Sequence, residues 1–247
     1  MERRAYDDIA FFESTHWWFR GRREIIQSLF KRYITSKVQR ALDVGCGTGT
    51  NALLLCPYAR EVVGWETNEE AIALSRTKHP DLMVEHACFP EEMPQTAPFD
   101  TITLFDVLEH IEDDRAALRA LESLLAPKGV AFLTVPALPF LWSEHDLTLH
   151  HYRRYTRKTL LACIHESTSL RVLSVNYFNF LLFPLIAVIR FFKRNVRSSE
   201  SDFSIGSTSV LNSILAWIFG IERFVVHDFP IPFGASLLIV LKKEQSA

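Results

Sequence analysis

The chain has 247 residues, 48% of them hydrophobic, and a formal net charge of −2 at pH 7. That length and apolar content suit one large α/β domain with a sizeable core, and the near-balanced charge gives no general electrostatic reason to bind nucleic acid. Four cysteines, Cys46, Cys56, Cys88 and Cys163, are scattered without metal-ligand spacing, as expected for reduced thiols of a cytoplasmic protein.

Residues 1–36 read as helical and amphipathic, and the opening Met1-Glu2-Arg3-Arg4 starts no apolar leader, so no secretory signal is expected. Within this stretch stands His16-Trp17-Trp18-Phe19-Arg20-Gly21-Arg22-Arg23. Two adjacent tryptophans on a helix cannot share a face, because successive residues turn about 100°. One is expected to pack inward and the other to cover a cleft, with Trp18 the candidate substrate contact. A plain core-packing helix with a basic edge is the competing reading.

Residues 38–44 form an apolar approach that reads as a buried strand, and it runs into Gly45, Gly47 and Gly49. A helix is expected over 50–59. Strand, glycine turn and helix N-terminus together make a site for a ligand that must approach bare backbone. The G-x-G-x-G spacing is neither the dinucleotide fingerprint nor a phosphate loop, and no lysine follows to balance a triphosphate. The next strand, 61–66, ends in Glu66. A carboxylate there accepts hydrogen bonds from both hydroxyls of a ribose. Alone, the turn would read equally well as a simple βα connection with Glu66 as a solvated strand end.

With these residues in place, the sequence resembles the class I S-adenosylmethionine-dependent methyltransferases. Their D-x-G-C-G-x-G turn stands unaltered at Asp43 to Gly49, and their acidic second-strand tip stands at Glu66. The resemblance implies S-adenosyl-L-methionine as cofactor, with Asp43, Gly45, Cys46, Gly47, Glu66 and Thr67 around it. It further suggests that Arg22 or Arg23 pairs with the methionine carboxylate, and Arg23 is the candidate. The H-W-W-F-x-x-R-R opening is similar to that of a group of bacterial methyltransferases linked to polysaccharide or lipid-carrier pathways.

Downstream, a helix over 68–79 is capped by Asn68 and stopped by His79-Pro80, and 82–86 is a third strand. Many family members then place an aspartate against the adenine amino group, where this chain has Cys88-Phe89. That contact must come from backbone or another group, and Phe89 is placed to flank the adenine ring. The fourth strand, 99–105, ends at Phe105 and Asp106, which by resemblance lie beside the sulfonium. Glu109-His110 resembles the E-H pair of ubiquinone-type O-methyltransferases; a backbone-bonded His110 at a helix start is the plain alternative. Helical spacing over 116–125 ends at Pro127-Lys128-Gly129, and 130–136 is the fifth strand.

After that strand, residues 141–156 crowd three histidines, two carboxylates, two arginines and three aromatics into one loop. Loops at this edge carry function readily. The pattern at His145, Asp146, His151, Arg153, Arg154, Tyr155 and Thr156 resembles the same bacterial group. If the acceptor is a hydroxyl, His151, His145 or His110 serves as base and Asp146 orients one of them. Arg153 and Arg154, with Tyr155, are candidates to hold a phosphate or carboxylate of the acceptor. His150-His151 with a distant His145 is poor ligand spacing, so no metal is expected.

A helix over 156–166 and a strand over 170–177 follow, and the period-2 pattern resumes only at 236–241. The insertion between holds two apolar segments, 178–192 and 211–226, with Lys193, Arg194 and Arg197 and a Ser-rich stretch between them. Each is too short to span a bilayer, so they lie in the membrane plane or pack together as a roof over the pocket.

The expected fold is α/β, a doubly wound, mostly parallel seven-stranded sheet with a helical insertion before the last strand. The expected organisation is an N-terminal lid (1–36), a cofactor-binding core (37–177), a cap (178–234) and a last strand with tail (235–247). The expected activity is O-methylation of a lipid-linked, saccharide or quinone-like acceptor. C- or N-methylation of a small metabolite, or cofactor binding without catalysis, are the alternatives. The expected location is cytoplasmic, with peripheral membrane contact through 178–226 left open.

Overall fold

The computed structural model describes residues 10–193 and 209–245. Seven strands, β1 (Val38–Val44), β2 (Ala59–Glu66), β3 (Met83–His86), β4 (Phe99–Phe105), β5 (Leu125–Pro136), β6 (Arg171–Phe178) and β7 (Ser236–Lys242), form one sheet. Their order is β3-β2-β1-β4-β5-β7-β6. Neighbours pair in parallel except at β7, which is antiparallel to both β5 and β6. β4 and β7 are buried along nearly their whole length, as central strands covered on both faces must be, and β7 is apolar from Leu237 to Leu241. From β1 the chain steps outward to β2 and β3, then crosses back to β4 on the other side of β1. This reversal opens a crevice at the carboxyl ends of β1 and β4, where open α/β sheets bind their ligands.

From Trp17 onward the α-helices of the described residues are α1 (Trp17–Tyr33), α2 (Glu69–Lys78), α3 (Asp114–Leu124), α4 (Glu144–Thr148), α5 (Arg157–Ser167), α6 (Phe183–Lys193) and α7 (Ser209–Ile221). Local chemistry sets their starts. Asn68 caps α2 through Ala71 N–H, and Thr156 and Thr159 form a reciprocal capping box on α5. α1 begins at Trp17 because His16 is its N-cap, so the expected continuous helix is interrupted and residues 13–16 form a turn. Residues 1–9 lie outside the described residues. Phe30 of α1 packs on Phe132 of the sheet with ring centroids 5.0 Å apart.

The helix expected over 50–59 is instead a single 3₁₀ turn, Ala52–Leu55. Pro57 cannot continue a helix, and pairing of Ala59 with Val38 already starts β2. In the insertion, β6 runs through Phe178, so the first apolar segment begins as strand and turns helical only at Phe183. α7 does not rest mainly on α6. Its partner is α1, where Trp17 N–H donates to Asn212 Oδ1 (2.6 Å). Gly21 lies so close that a Cβ there would meet the Phe219 ring at 2.5 Å. Arg194, Arg197 and the Ser-rich stretch lie outside the described residues, as does the Lys193 side chain. Among the described residues no helix is long and apolar enough to cross a membrane.

Candidate functional site

A cavity of ≈ 740 Å³ fills the crevice at the carboxyl edge. One end is built on the turn after β1. Gly45, Gly47 and Gly49 all have positive φ (65°, 55° and 86°), which disfavours any side chain. At Gly47 a Cβ would touch nothing within 4 Å, so this backbone lies bare to the cavity. Glu66 holds the turn in place. Its Oε2 accepts from Gly47 N–H (2.8 Å), and its Oε1 accepts from the N–H groups of Thr67 (2.9 Å) and Asn68 (3.0 Å). Gly45, Cys46, Gly47, Glu66, Thr67, Cys88 and Phe89 all border the cavity. Asp43 does not: it lies buried beneath the turn, where its Oδ1 accepts from Thr103 Oγ1 (2.6 Å). Burial pushes its carboxyl up to about 7.

The roof is α1. Trp17 is buried and packs against Phe219 (ring centroids 6.0 Å apart), Trp18 is only half-buried, and both border the cavity. Arg22 is buried and committed to the sheet. Its Nη2 donates to Thr134 Oγ1 (2.7 Å) and pairs with Asp106 Oδ2 (2.6 Å), and its guanidinium lies 4.9 Å from the Trp18 ring centroid. Asp106 adopts φ 57°, unusual for a non-glycine residue. Arg22 is thus the partner of Asp106, and Arg23 borders the cavity with its guanidinium held by the carbonyls of Glu13 and Ser14. Glu13 is a site residue that sequence reasoning missed. It is buried at the glycine turn, accepting from Thr48 Oγ1 (2.5 Å) and Lys78 Nζ (2.6 Å). It sits in the turn between helical segments, where no periodic signal marks it.

The far end is built by the segment after β4 and the loop after β5. Asp146 is fully buried, and its Oδ1 accepts from His151 Nδ1 (2.9 Å) and Arg154 Nε (2.7 Å). A carboxylate partner places the proton of His151 on Nδ1 and leaves Nε2 as the acceptor. The loop is tied to the end of β4 by Tyr152 N–H donating to the Glu109 carbonyl (2.8 Å). His110 meets His151 edge-to-face with ring centroids 4.6 Å apart. Burial, helped by the neighbouring His151, brings His110 down to about 4. Glu109 is completely buried, borders the cavity, and has no hydrogen-bond partner on either carboxylate oxygen. Burial, with Asp106 nearby, holds its carboxyl well above the usual range.

Phe105, Asp106, His110, His151 and Arg154 border the cavity together. Arg153 and Tyr155 do not. Arg153 pairs with Asp114 (2.9 Å) and donates to the Glu112 carbonyl, and the Tyr155 hydroxyl donates to Asp114 Oδ2 (2.8 Å). In this structure both hold the loop against Asp114. His145 belongs to α4, and its side chain lies outside the described residues. Asn179 and Ile186 of the insertion also border the cavity.

Comparison with known proteins adds four findings. A family model described as "Methyltransferase domain" matches residues 15–177. A Mycolicibacterium smegmatis protein named "Probable S-adenosylmethionine-dependent methyltransferase" is 30% identical over 121 residues, 49% of this chain and 46% of that protein. The chain thus spans about half the length of such curated relatives. A "Ubiquinone biosynthesis O-methyltransferase" of Xanthomonas euvesicatoria is 27% identical over 165 residues, 58% of this chain and 69% of that protein. Among solved structures, the [4+2]-cyclase SpnF superposes with a TM-score of 0.58 at 16% identity, covering 90% of this chain and 82% of that one. The last likeness concerns the fold alone.

Proposed function

The chain belongs to the methyltransferase domain family, and from that premise we propose that it transfers a methyl group from S-adenosylmethionine to a hydroxyl of a lipid-linked, saccharide or quinone-like acceptor. The observation that carries this reading is one cavity with a glycine turn and carboxylate at one end and a buried Asp146–His151 pair at the other. The cofactor end fits its ligand. Gly47 offers bare backbone, Glu66 offers acceptor oxygens to a ribose, and Phe89 and Phe105 offer flat apolar walls. Glu91, beside Cys88, also borders the cavity and is a carboxylate available to the adenine amino group. When bound, S-adenosylmethionine supplies a methyl group already activated on a sulfonium.

The residues of the chain then act mainly by positioning. α1, fixed by Arg22 to Asp106, covers the cavity through Trp18 and limits water. His151, oriented by Asp146, meets the acceptor hydroxyl and promotes loss of its proton. Arg154 is anchored by Asp146 and the Ala137 carbonyl, and presents residual positive charge to an anionic group of the acceptor. In this reading residues 1–36 are a lid, 37–177 bind the cofactor, 178–234 cap the acceptor side and 235–247 add the last strand. The reading draws support from the H-W-W-F-x-x-R-R opening and the loop at 145–156, which resemble those of a bacterial group linked to polysaccharide and lipid-carrier pathways. Calorimetry tests the cofactor directly. S-adenosylhomocysteine is expected to bind in the micromolar range or tighter, about −8 kcal/mol or stronger, and NAD not to bind. The reverse preference ends the methyl-transfer reading.

The proposed lipid-linked acceptor has support from the insertion. Val210, Ile214 and Trp217 recur along one exposed face of α7, while Leu215 and Phe219 are buried on the other. A solvated helix does not ordinarily expose such a stripe, and a helix of this kind lies in a membrane surface. The full chain is expected to float with anionic liposomes, and an Ile214→Asp, Trp217→Asp variant that still binds S-adenosylhomocysteine is expected to stay behind. A wild-type protein that ignores the liposomes at low salt removes the membrane contact and leaves α7 as packing for α1.

A further inference from the structure

We propose that Glu109, His110 and His151 hold one divalent transition-metal cation at the acceptor end of the cavity. One ligand atom from each lies within 4.8 Å of the other two. Ligand atoms around one tetrahedral zinc ion, with bonds of roughly 2.1 Å, stand about 3.4 Å apart, so closing the cluster needs movements of up to about 1.4 Å.

Three features separate this cluster from a chance grouping. Glu109 is wholly buried, borders the cavity, and leaves both carboxylate oxygens without a hydrogen bond. Burying a polar group in that state costs free energy unless something binds it. His151 engages Asp146 through Nδ1, which leaves Nε2 for a cation. A carboxylate bracing a ligand histidine is the usual second layer of a metal site, where it fixes ring orientation and raises ligand basicity. His110 lies against the His151 ring, edge-to-face with centroids 4.6 Å apart. The set of two imidazoles and one carboxylate favours zinc, manganese or iron over magnesium or calcium, which prefer oxygen ligands throughout. Sequence spacing hides the set, because Glu109 and His110 follow β4 whereas His151 follows β5.

The cation site stands on geometry. Its consequence for catalysis rests on the O-methylation reading. Three protein ligands leave a coordination position for the acceptor hydroxyl, and a cation there lowers its pKa toward neutrality. The O–H bond breaks and the proton passes to water. The freed oxygen pair forms the bond to the methyl carbon, while the carbon–sulfur pair stays on sulfur. His151 then acts through the cation rather than as first acceptor of the proton.

The test uses the tag-free full chain, stripped with a chelator, dialysed against zinc and desalted. About one zinc per chain is expected by elemental analysis, undiminished by a thousandfold excess of magnesium. Cobalt in place of zinc is expected to give a visible ligand-field spectrum. Glu109→Gln, nearly isosteric, and His151→Ala are each expected to weaken zinc binding at least tenfold and to abolish the cobalt spectrum. Circular dichroism and S-adenosylhomocysteine binding, both retained, confirm that the variants fold. Failure to take up zinc, or uptake that neither substitution changes, overturns the proposal. Failure of the methyl-transfer reading shows instead in the S-adenosylhomocysteine calorimetry, which needs no cation.

Discussion

Replacement of His151 by alanine is expected to lower kcat by roughly a hundredfold to ten-thousandfold, the range for removing a positioned proton-handling group. Affinity for S-adenosylhomocysteine should barely change, because the glycine turn and Glu66 occupy the opposite end of the cavity. The measurement is transfer of labelled methyl from S-adenosylmethionine into a lipid extract, paired with calorimetry on the same preparation. A loss confined to kcat marks an interaction made in the transition state. Asp146→Asn should give a smaller loss, since the imidazole remains while its orientation and tautomer are no longer enforced. If His151→Ala leaves kcat intact, the assignment moves away from this pair.

Glu66→Ala is expected to weaken S-adenosylhomocysteine binding about tenfold to a hundredfold, corresponding to the loss of roughly 1.5–3 kcal/mol of charge-assisted hydrogen bonding. The carboxylate also receives the N–H groups of Gly47, Thr67 and Asn68. Alanine therefore frees the glycine turn from the start of α2 as well, and thermal stability should fall with affinity. Glu66→Gln keeps an acceptor oxygen and should lie between. Unchanged affinity in a folded Glu66→Ala protein would sink the ribose role.

The glycine turn and Glu66 were readable from sequence because their signals are local. Residues a few positions apart in a strand–turn–helix connection and at a strand tip are placed by the elements they belong to. Asp146 and His151 were readable for the same reason, standing in one short loop. Arg153 and Arg154 show the limit. They carry the same chemistry, yet one points to Asp114 and the other to Asp146 beside the cavity. Only the backbone path of the loop decides between them. Glu13 and Glu109 show a second limit. Each matters through what tertiary contact brings to it, or fails to bring, and no spacing in the chain reports that. The helix expected over 50–59 failed at Pro57, a breaker whose effect the apolar run Leu53-Leu54-Leu55 obscured.

The contact between α1 and α7 has a kinetic consequence. Trp17 and Asn212 are separated by 195 residues, so the beginning of α1 finds this partner only after most of the chain exists. At synthesis rates of roughly 5–20 residues per second, that delay is about ten to forty seconds. During it the Trp17 side of α1 has no α7 to cover it, although the Phe30 side can dock once the central strands have assembled. Closing so long a loop is a slow, entropically costly step. Assembly is therefore expected to proceed from the sheet outward, with α7 joining α1 last and the roof that α1 forms over the cavity being fixed only then.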